Sequence, residues 1–151
     1  MAHQRAVMQG VAMNTKIAAI CAAIVLIVST GHAQDATDVA DAETSAQQWL
    51  TLTDAERYGE SWDAAASFFQ SKITQLNWTN ALANARTPLG KLLSRTLTSA
   101  EYSRSLPGAP DGEYVVIQYT TQFENKPTAT ELVTPMKERD GKWRVSGYFI
   151  R

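Results

Sequence analysis

The chain has 151 residues, of which 44% are apolar and 19% charged, and its 14 basic and 15 acidic side chains give a formal net charge of −1. Without a basic excess it has no electrostatic footprint for a phosphate backbone, which argues against nucleic acid as a partner. Its single Cys and two His, at Cys21, His3 and His32, all lie near the N-terminus.

At that end Lys16 precedes an apolar run from Ile17 to Val28, and Gly31-His32-Ala33 meets the polar Gln34. A cation, a short apolar core and a small-residue junction together form a secretory signal, with cleavage expected after Ala33. The run is shorter than the ~20 residues that span a bilayer, so no stable membrane span is expected after cleavage. Met1, Met8 and Met13 are alternative starts, and Met13 places Lys16 just ahead of the apolar core. Cys21 follows Ile20 inside the run, outside the Leu-small-small-Cys context of a lipoprotein, and reads as filler. The expected organisation is a cleaved signal over 1–33, a flexible leader over 34–40 and one domain over 41–151.

Losing the signal removes every Cys and His together with Arg5 and Lys16, leaving twelve basic and fifteen acidic residues, a balance of −3. Thiol nucleophiles, disulfides, His bases and His or Cys metal sites go with them, so neither a metal nor a cofactor is expected. Export without disulfides fits a bacterial periplasmic or secreted protein. The remaining segment of about 118 residues suits one core, to which four Trp and four Phe give bulk.

From Asp41 a helical pattern runs through Ala42, Ala46, Trp49, Leu50 and Thr53, with Gly59 as a left-handed stop. Ser61 is placed to cap a second helix carrying Trp62 and Phe69. A third, over about 73–86, sets Trp78, Leu82 and Ala85 on one face and ends before Pro88.

Beyond Leu89 the pattern becomes extended. A weakly alternating run over 91–106 leaves its buried face undecided. After the Pro-Gly turn at 106–112, Val115, Ile117, Tyr119 and Phe123 form one apolar face, and Asn125-Lys126-Pro127 turns the chain. Asp140-Gly141 suits a two-residue hairpin loop. That loop pairs Met136 with Val145, Thr134 with Gly147 and Leu132 with Phe149, and directs Leu132, Met136, Trp143, Val145 and Phe149 toward the helices. The opposite face, with Glu131, Val133, Lys137, Arg144, Tyr148 and Ile150, is a surface on which a homodimer could form through the sheet. The expected fold is α+β, with N-terminal helices packed on a curved four-stranded antiparallel sheet.

Trp49-Leu50, Ser61-Trp62-Asp63-Ala64-Ala65, Trp78, Arg86-Thr87-Pro88-Leu89-Gly90, the segment Leu106 to Tyr114, and Asp140-Gly141-Lys142-Trp143-Arg144-Val145 followed by Gly147-Tyr148 resemble the bacterial family called domain of unknown function 4019. The element order and the Asp-Gly-Lys-Trp-Arg-Val strand are more distantly similar to the nuclear-transport-factor-2-like cone. The first resemblance implies no activity, and a fold likeness by itself licenses none.

The leading expectation is a non-catalytic binding or interaction domain, holding an unknown protein or small molecule, with no catalytic residue assigned. Candidate ligand-binding residues are Tyr119, Arg86, Arg95 and Trp78. Arg86, Arg95 and Arg104 have the fork geometry that suits a carboxylate or phosphate. Arg86 also fits as a helix C-terminal cation, Arg95 as a strand residue that faces solvent or pairs with a sheet carboxylate, and Trp78 as core. The alternative is a cofactor-free isomerase or lyase, in which Tyr119 works with a carboxylate such as Glu101 or Glu113 in a pocket beneath the sheet.

Overall fold

The computed structural model describes residues 30–151; residues 1–29 of the expected signal lie outside them, and its last four, 30–33, open the first helix. Helix α1 spans Thr30–Asp54, and its buried residues Ala42, Ala46, Trp49, Leu50 and Thr53 recur at the three- and four-residue spacing of one helix face. It also takes in residues 34–40, expected as a flexible leader. The cause is Asp38, which is buried and accepts hydrogen bonds from the Lys137 ammonium at 2.7 Å and Gln34 Nε2 at 3.3 Å. Burial works against the Asp38 charge, yet the Lys137 contact holds its pKa below the usual carboxylate value.

The left-handed residue that closes the helix, two positions past its end at Asp54, is Glu56 rather than Gly59. Glu56 has φ 59°, and the amides of Glu56 and Arg57 donate to the carbonyls of Thr53 and Leu52 at 3.2 and 2.9 Å. This is a Schellman closure with glutamate in the left-handed position that glycine usually takes. Gly59 lies within α2 (Tyr58–Asp63), and Ser61, expected as a cap, is fully buried in the same helix. Its hydroxyl donates to the Tyr58 carbonyl at 2.7 Å and accepts the Trp78 indole N–H at 2.9 Å, while its carbonyl accepts that of Trp49 at 2.7 Å. Helix α3 covers Ser67–Lys72 and α4 covers Gln75–Arg86. The Thr74 side chain caps α4, and Pro88 lies in the 3-10 turn Thr87–Leu89 that follows it.

Four antiparallel strands complete the fold in the order β1 (Leu92–Ser103), β2 (Tyr114–Phe123), β3 (Lys126–Lys137) and β4 (Trp143–Ile150). They form a curved open sheet, giving the expected α+β fold. Helix α1 packs against all four strands. Val115, Ile117, Tyr119 and Phe123 are buried as their alternation predicts, with Thr121 on the same face.

The last hairpin differs from expectation. The Glu138 amide donates to the Lys142 carbonyl and the Gly141 amide to the Glu138 carbonyl, both at 2.9 Å. Only Gly141 within this loop has positive φ, at 79°. The loop is therefore Arg139-Asp140-Gly141, a turn closed by a glycine bulge, because Asp140 does not take the left-handed conformation that a two-residue loop demands. Pairing near the turn moves by one, to Lys137 with Trp143, Met136 with Arg144 and Pro135 with Val145. Ser146 is then an extra residue on β4, and the expected pairs of Thr134 with Gly147 and Leu132 with Phe149 resume. Pro135, which has no N–H for the ladder, sits at this irregularity.

A bulge turns every later side chain over. Trp143 and Val145 face the helices as expected, but beyond Ser146 the inner face belongs to Tyr148, Glu131 and Val133. Phe149 is 72% exposed on the outer face, beside the half-buried Leu132.

Glycine removes the penalty of a left-handed glutamate, so Glu56→Gly should raise the unfolding free energy by about 1 kcal/mol. A urea titration checks this; a fall in the midpoint would show that the Glu56 side chain contributes more than its backbone costs.

Candidate functional site

Arg86, the last residue of α4, and Arg95, inward-facing on β1, converge on two carboxylates. Arg95 forks both: Nη1 and Nη2 donate to Asp54 at 2.7 and 2.9 Å, and Nε and Nη2 donate to Glu131 at 2.6 and 3.2 Å. Arg86 Nη2 donates to Asp54 at 2.6 Å, and its Nη1 reaches Glu131 at 3.3 Å. The hydroxyls of Tyr148 and Thr121 also donate to Glu131, each at 2.5 Å. The Phe123 ring underlies the Arg86 guanidinium at 4.8 Å.

Side-chain exposure is 0% for Glu131, 5% for Arg86, 13% for Arg95 and 20% for Asp54. Two cations and two anions balance, and each carboxylate is held by several donors, the condition under which buried charge is tolerated. The local fold requires the cations, because α1 ends at Asp54 and α4 at Arg86, so the negative ends of two helix dipoles meet here. Burial opposes ionisation of Asp54, but Arg95 and Arg86 outweigh it and lower its pKa. Burial likewise disfavours the Arg95 charge, and Asp54 and Glu131 more than offset this to raise its pKa. Burial, followed by the Glu131 charge, raises Tyr148.

Arg86 and Arg95 thus come together as an anion site would require, but their donors already serve the chain's own carboxylates. Arg104 stays apart, exposed beside Tyr102. Trp78 is core: it lies edge-on to Phe69 at 4.9 Å and 6.0 Å from Trp49, with its N–H on Ser61. Tyr119 faces inward, 3% exposed, and its hydroxyl has no hydrogen-bond partner among the described residues. Burial, then the Glu43 charge, raises its pKa. Neither expected carboxylate reaches it, since Glu113 accepts from the Tyr102 hydroxyl at 2.9 Å and Glu101 is exposed, opposite Val116. The proton-transfer pair of the alternative reading is not assembled.

Two open hollows flank this interior. A cleft of about 380 Å³ lies where α1 and α4 end, lined by Asp54, Tyr58 and Arg86 among others. A shallower groove of about 270 Å³ on the outer sheet face is lined by Val116, Leu132, Gly147 and Phe149 and by the 106–109 loop. Among the described residues no three His, Cys, Asp or Glu side chains gather to hold a metal, and no helix is long and apolar enough to cross a membrane.

Residues 45–148 match the family described as "Protein of unknown function (DUF4019)". The chain belongs to this family. No curated protein matches it. The matched DUF4019 segment contains Asp54, Arg86, Arg95, Glu131 and Tyr148, so the charge network lies entirely inside it. Sequence reading reached the arginines through their fork chemistry. It missed Asp54, at a helix end, and Glu131, which stood on the face taken to be exposed.

Glu131→Gln removes one charge of a buried set and should lower stability by about 3–5 kcal/mol. Urea unfolding measures it, and a loss near zero would mean that water reaches the network. Acid should act on the same contacts. The folded-state pKa values of Asp38, Asp54 and Glu138 are lowered and that of Asp140 falls to about 2, so their stabilisation is complete above the unfolded-state values and disappears as pH falls through the folded ones. The urea midpoint should therefore hold steady down to about pH 5 and drop between about pH 4 and 2; a flat profile there would contradict the lowered values.

Proposed function

We propose that the protein is an exported, periplasmic binding domain without catalytic chemistry, which works through the outer face of its sheet, opposite α1, and first engages a second copy of itself there. The observation that carries this is Phe149, 72% exposed next to Leu132, at the rim of a groove that deepens where Gly147 has no side chain. An aromatic knob beside an apolar hollow on one surface suits an isologous contact, in which each copy supplies both.

Charge favours the same occupant. The middle of the face carries Thr96, Gln118, Thr120 and Thr130, so pairing it buries no like charges. Glu101 lies on the β1 side, and Arg151, paired with Thr130, lies on the β4 side. A two-fold axis along the strands lays the β1 edge of one copy over the β4 edge of the other, setting Glu101 in the row of Gly147 and Arg151 in the row of Thr96, so that neither meets a like charge. Export rests on Lys16, the apolar run to Val28 and the junction at Ala33. The non-catalytic reading draws support from the absence of Cys and His after Ala33 and from the unpaired Tyr119 hydroxyl.

Size-exclusion with light scattering should give a dimer that Phe149→Glu converts to a monomer with unchanged circular dichroism. A wild-type monomer at high concentration would refute self-association. Protein recovered from a periplasmic extract should begin at Gln34 by intact mass; a chain kept in the cytoplasm at full length would refute export.

A further inference from the structure

The cleft where the two helices end has a chemistry that the folding role of the charge network does not use. Four observations define it. First, the negative dipole ends of α1 and α4 both reach it, through Thr53 and Asp54 on one side and Arg86 and Thr87 on the other. Second, Asp54 presents the most exposed edge of the network: Oδ1 accepts from both arginines and Oδ2 only from Arg95 Nη1, so Oδ2 retains acceptor capacity.

Third, Tyr58 lines the cleft while only 8% exposed, and its hydroxyl, which makes no hydrogen bond to the described residues, is not one of the fully buried unpartnered groups and so opens to the cleft. Burial of a phenol without a partner is unfavourable unless the hydroxyl meets water or a ligand. Burial and then the Glu56 charge, with a smaller push from Asp54, raise the Tyr58 pKa, as expected of a hydroxyl in a negative field that Arg86 only partly offsets. Fourth, Glu56 stands on the rim in a left-handed conformation. Residues held in sparsely populated backbone regions cluster at ligand sites.

The local charge follows. Asp54, Glu131, Arg86 and Arg95 sum to zero, and Glu56, Glu124 and Lys91 leave one negative charge over. Lys91 works against a cation but makes no ion pair among the described residues, whereas Glu124 is pinned by the Lys91 backbone amide at 2.8 Å. Gly90 keeps the corner tight: it has φ 74°, and a Cβ there would lie 2.8 Å from the Glu124 carboxylate.

We propose that this cleft binds a small organic molecule bearing a primary ammonium group, which donates to Asp54 Oδ2, the Glu56 carboxylate and the Tyr58 hydroxyl. A cleft of about 380 Å³ admits a linear amine of a few carbons. The site is separate from the outer sheet face and does not depend on dimer formation.

The test is an NMR titration of the purified protein with 1,4-diaminobutane, using 1,4-butanediol as the uncharged isostere and succinate as the anionic one. The diamine should shift amides around Asp54, Glu56, Tyr58 and Thr87, and the diol and succinate should not. Glu56→Gln keeps the backbone conformation and removes the charge, so binding should weaken roughly tenfold. Tyr58→Phe, which removes one neutral hydrogen bond, should weaken it roughly threefold to tenfold. Asp41→Asn, exposed and away from the cleft, should change nothing, which separates the site from general attraction to an acidic protein. The proposal fails if the diamine produces no shifts at about ten millimolar. It also fails if Glu56→Gln binds as wild type, if Asp41→Asn weakens binding equally, or if succinate proves the better ligand. A folded Glu56→Gln protein, checked by circular dichroism, keeps each outcome interpretable.

Discussion

The structure depends on one electrostatic requirement: two helices end at the same place, and the negative charge gathered there has to be neutralised away from water. Asp54 closes α1, the carboxylate of Glu131 lies opposite it on β3, and both are met by Arg86 and Arg95. A buried ion network of this kind is weak evidence for net stability, since its desolvation penalty rivals its attraction. Its stronger effect is on alternatives. A one-residue slip of β1 or β3 would turn Arg95 or Glu131 outward and leave the others charged, buried and unmatched. Register across the sheet and the seating of both helix ends are thereby coupled.

That coupling explains why the sheet tolerates its irregularities. Register shifts interrupt β1 between Leu92 and Ser94 and between Leu97 and Ser99, yet Arg95 still lies opposite Thr121, whose hydroxyl donates to Glu131. In the last hairpin the glycine bulge at Gly141 and the extra residue Ser146 cancel, so Tyr148 faces inward to reach Glu131. Phe149 is exposed as the geometric consequence of bringing Tyr148 in.

What the sequence made legible was periodic, and what it hid was reciprocal. The face of β2, the buried positions of α1 from Ala42 onward and the end of α4 before Pro88 all follow from spacing, because burial on one side imposes a period. Asp38 looked like leader because its partner, Lys137, is 99 positions away. Ser61 looked like a cap because small hydroxyl residues favour caps, and only the tertiary fold shows two indoles converging on it. Asp140-Gly141 marked the correct turn but not its length, since Asp is compatible with both loops and the choice rests on a conformation the sequence does not encode locally. The longer loop then reversed the core assignment of Met136 and Leu132, and the extra residue Ser146 reversed that of Phe149. Arg86 and Arg95 were singled out for the right chemistry, bidentate pairing with carboxylates, while the carboxylates proved to be the chain's own.

The protonation behaviour of the network bears on what kind of activity it can support. Proton transfer needs a group whose two states are close in free energy near neutral pH. Here the arginines are driven further toward their charged forms, Asp54 is held ionised and Tyr148 is held protonated. Such groups are fixed charges rather than acids and bases. Fixed charges can still orient and attract, and of the four charged members Asp54 is the one with appreciable exposure. At its side stands Glu56, whose backbone conformation would be relaxed by glycine and whose carboxylate glycine would remove. Stability and local charge therefore pull in opposite directions at this one position, as they do where a binding site is kept at some expense to the fold.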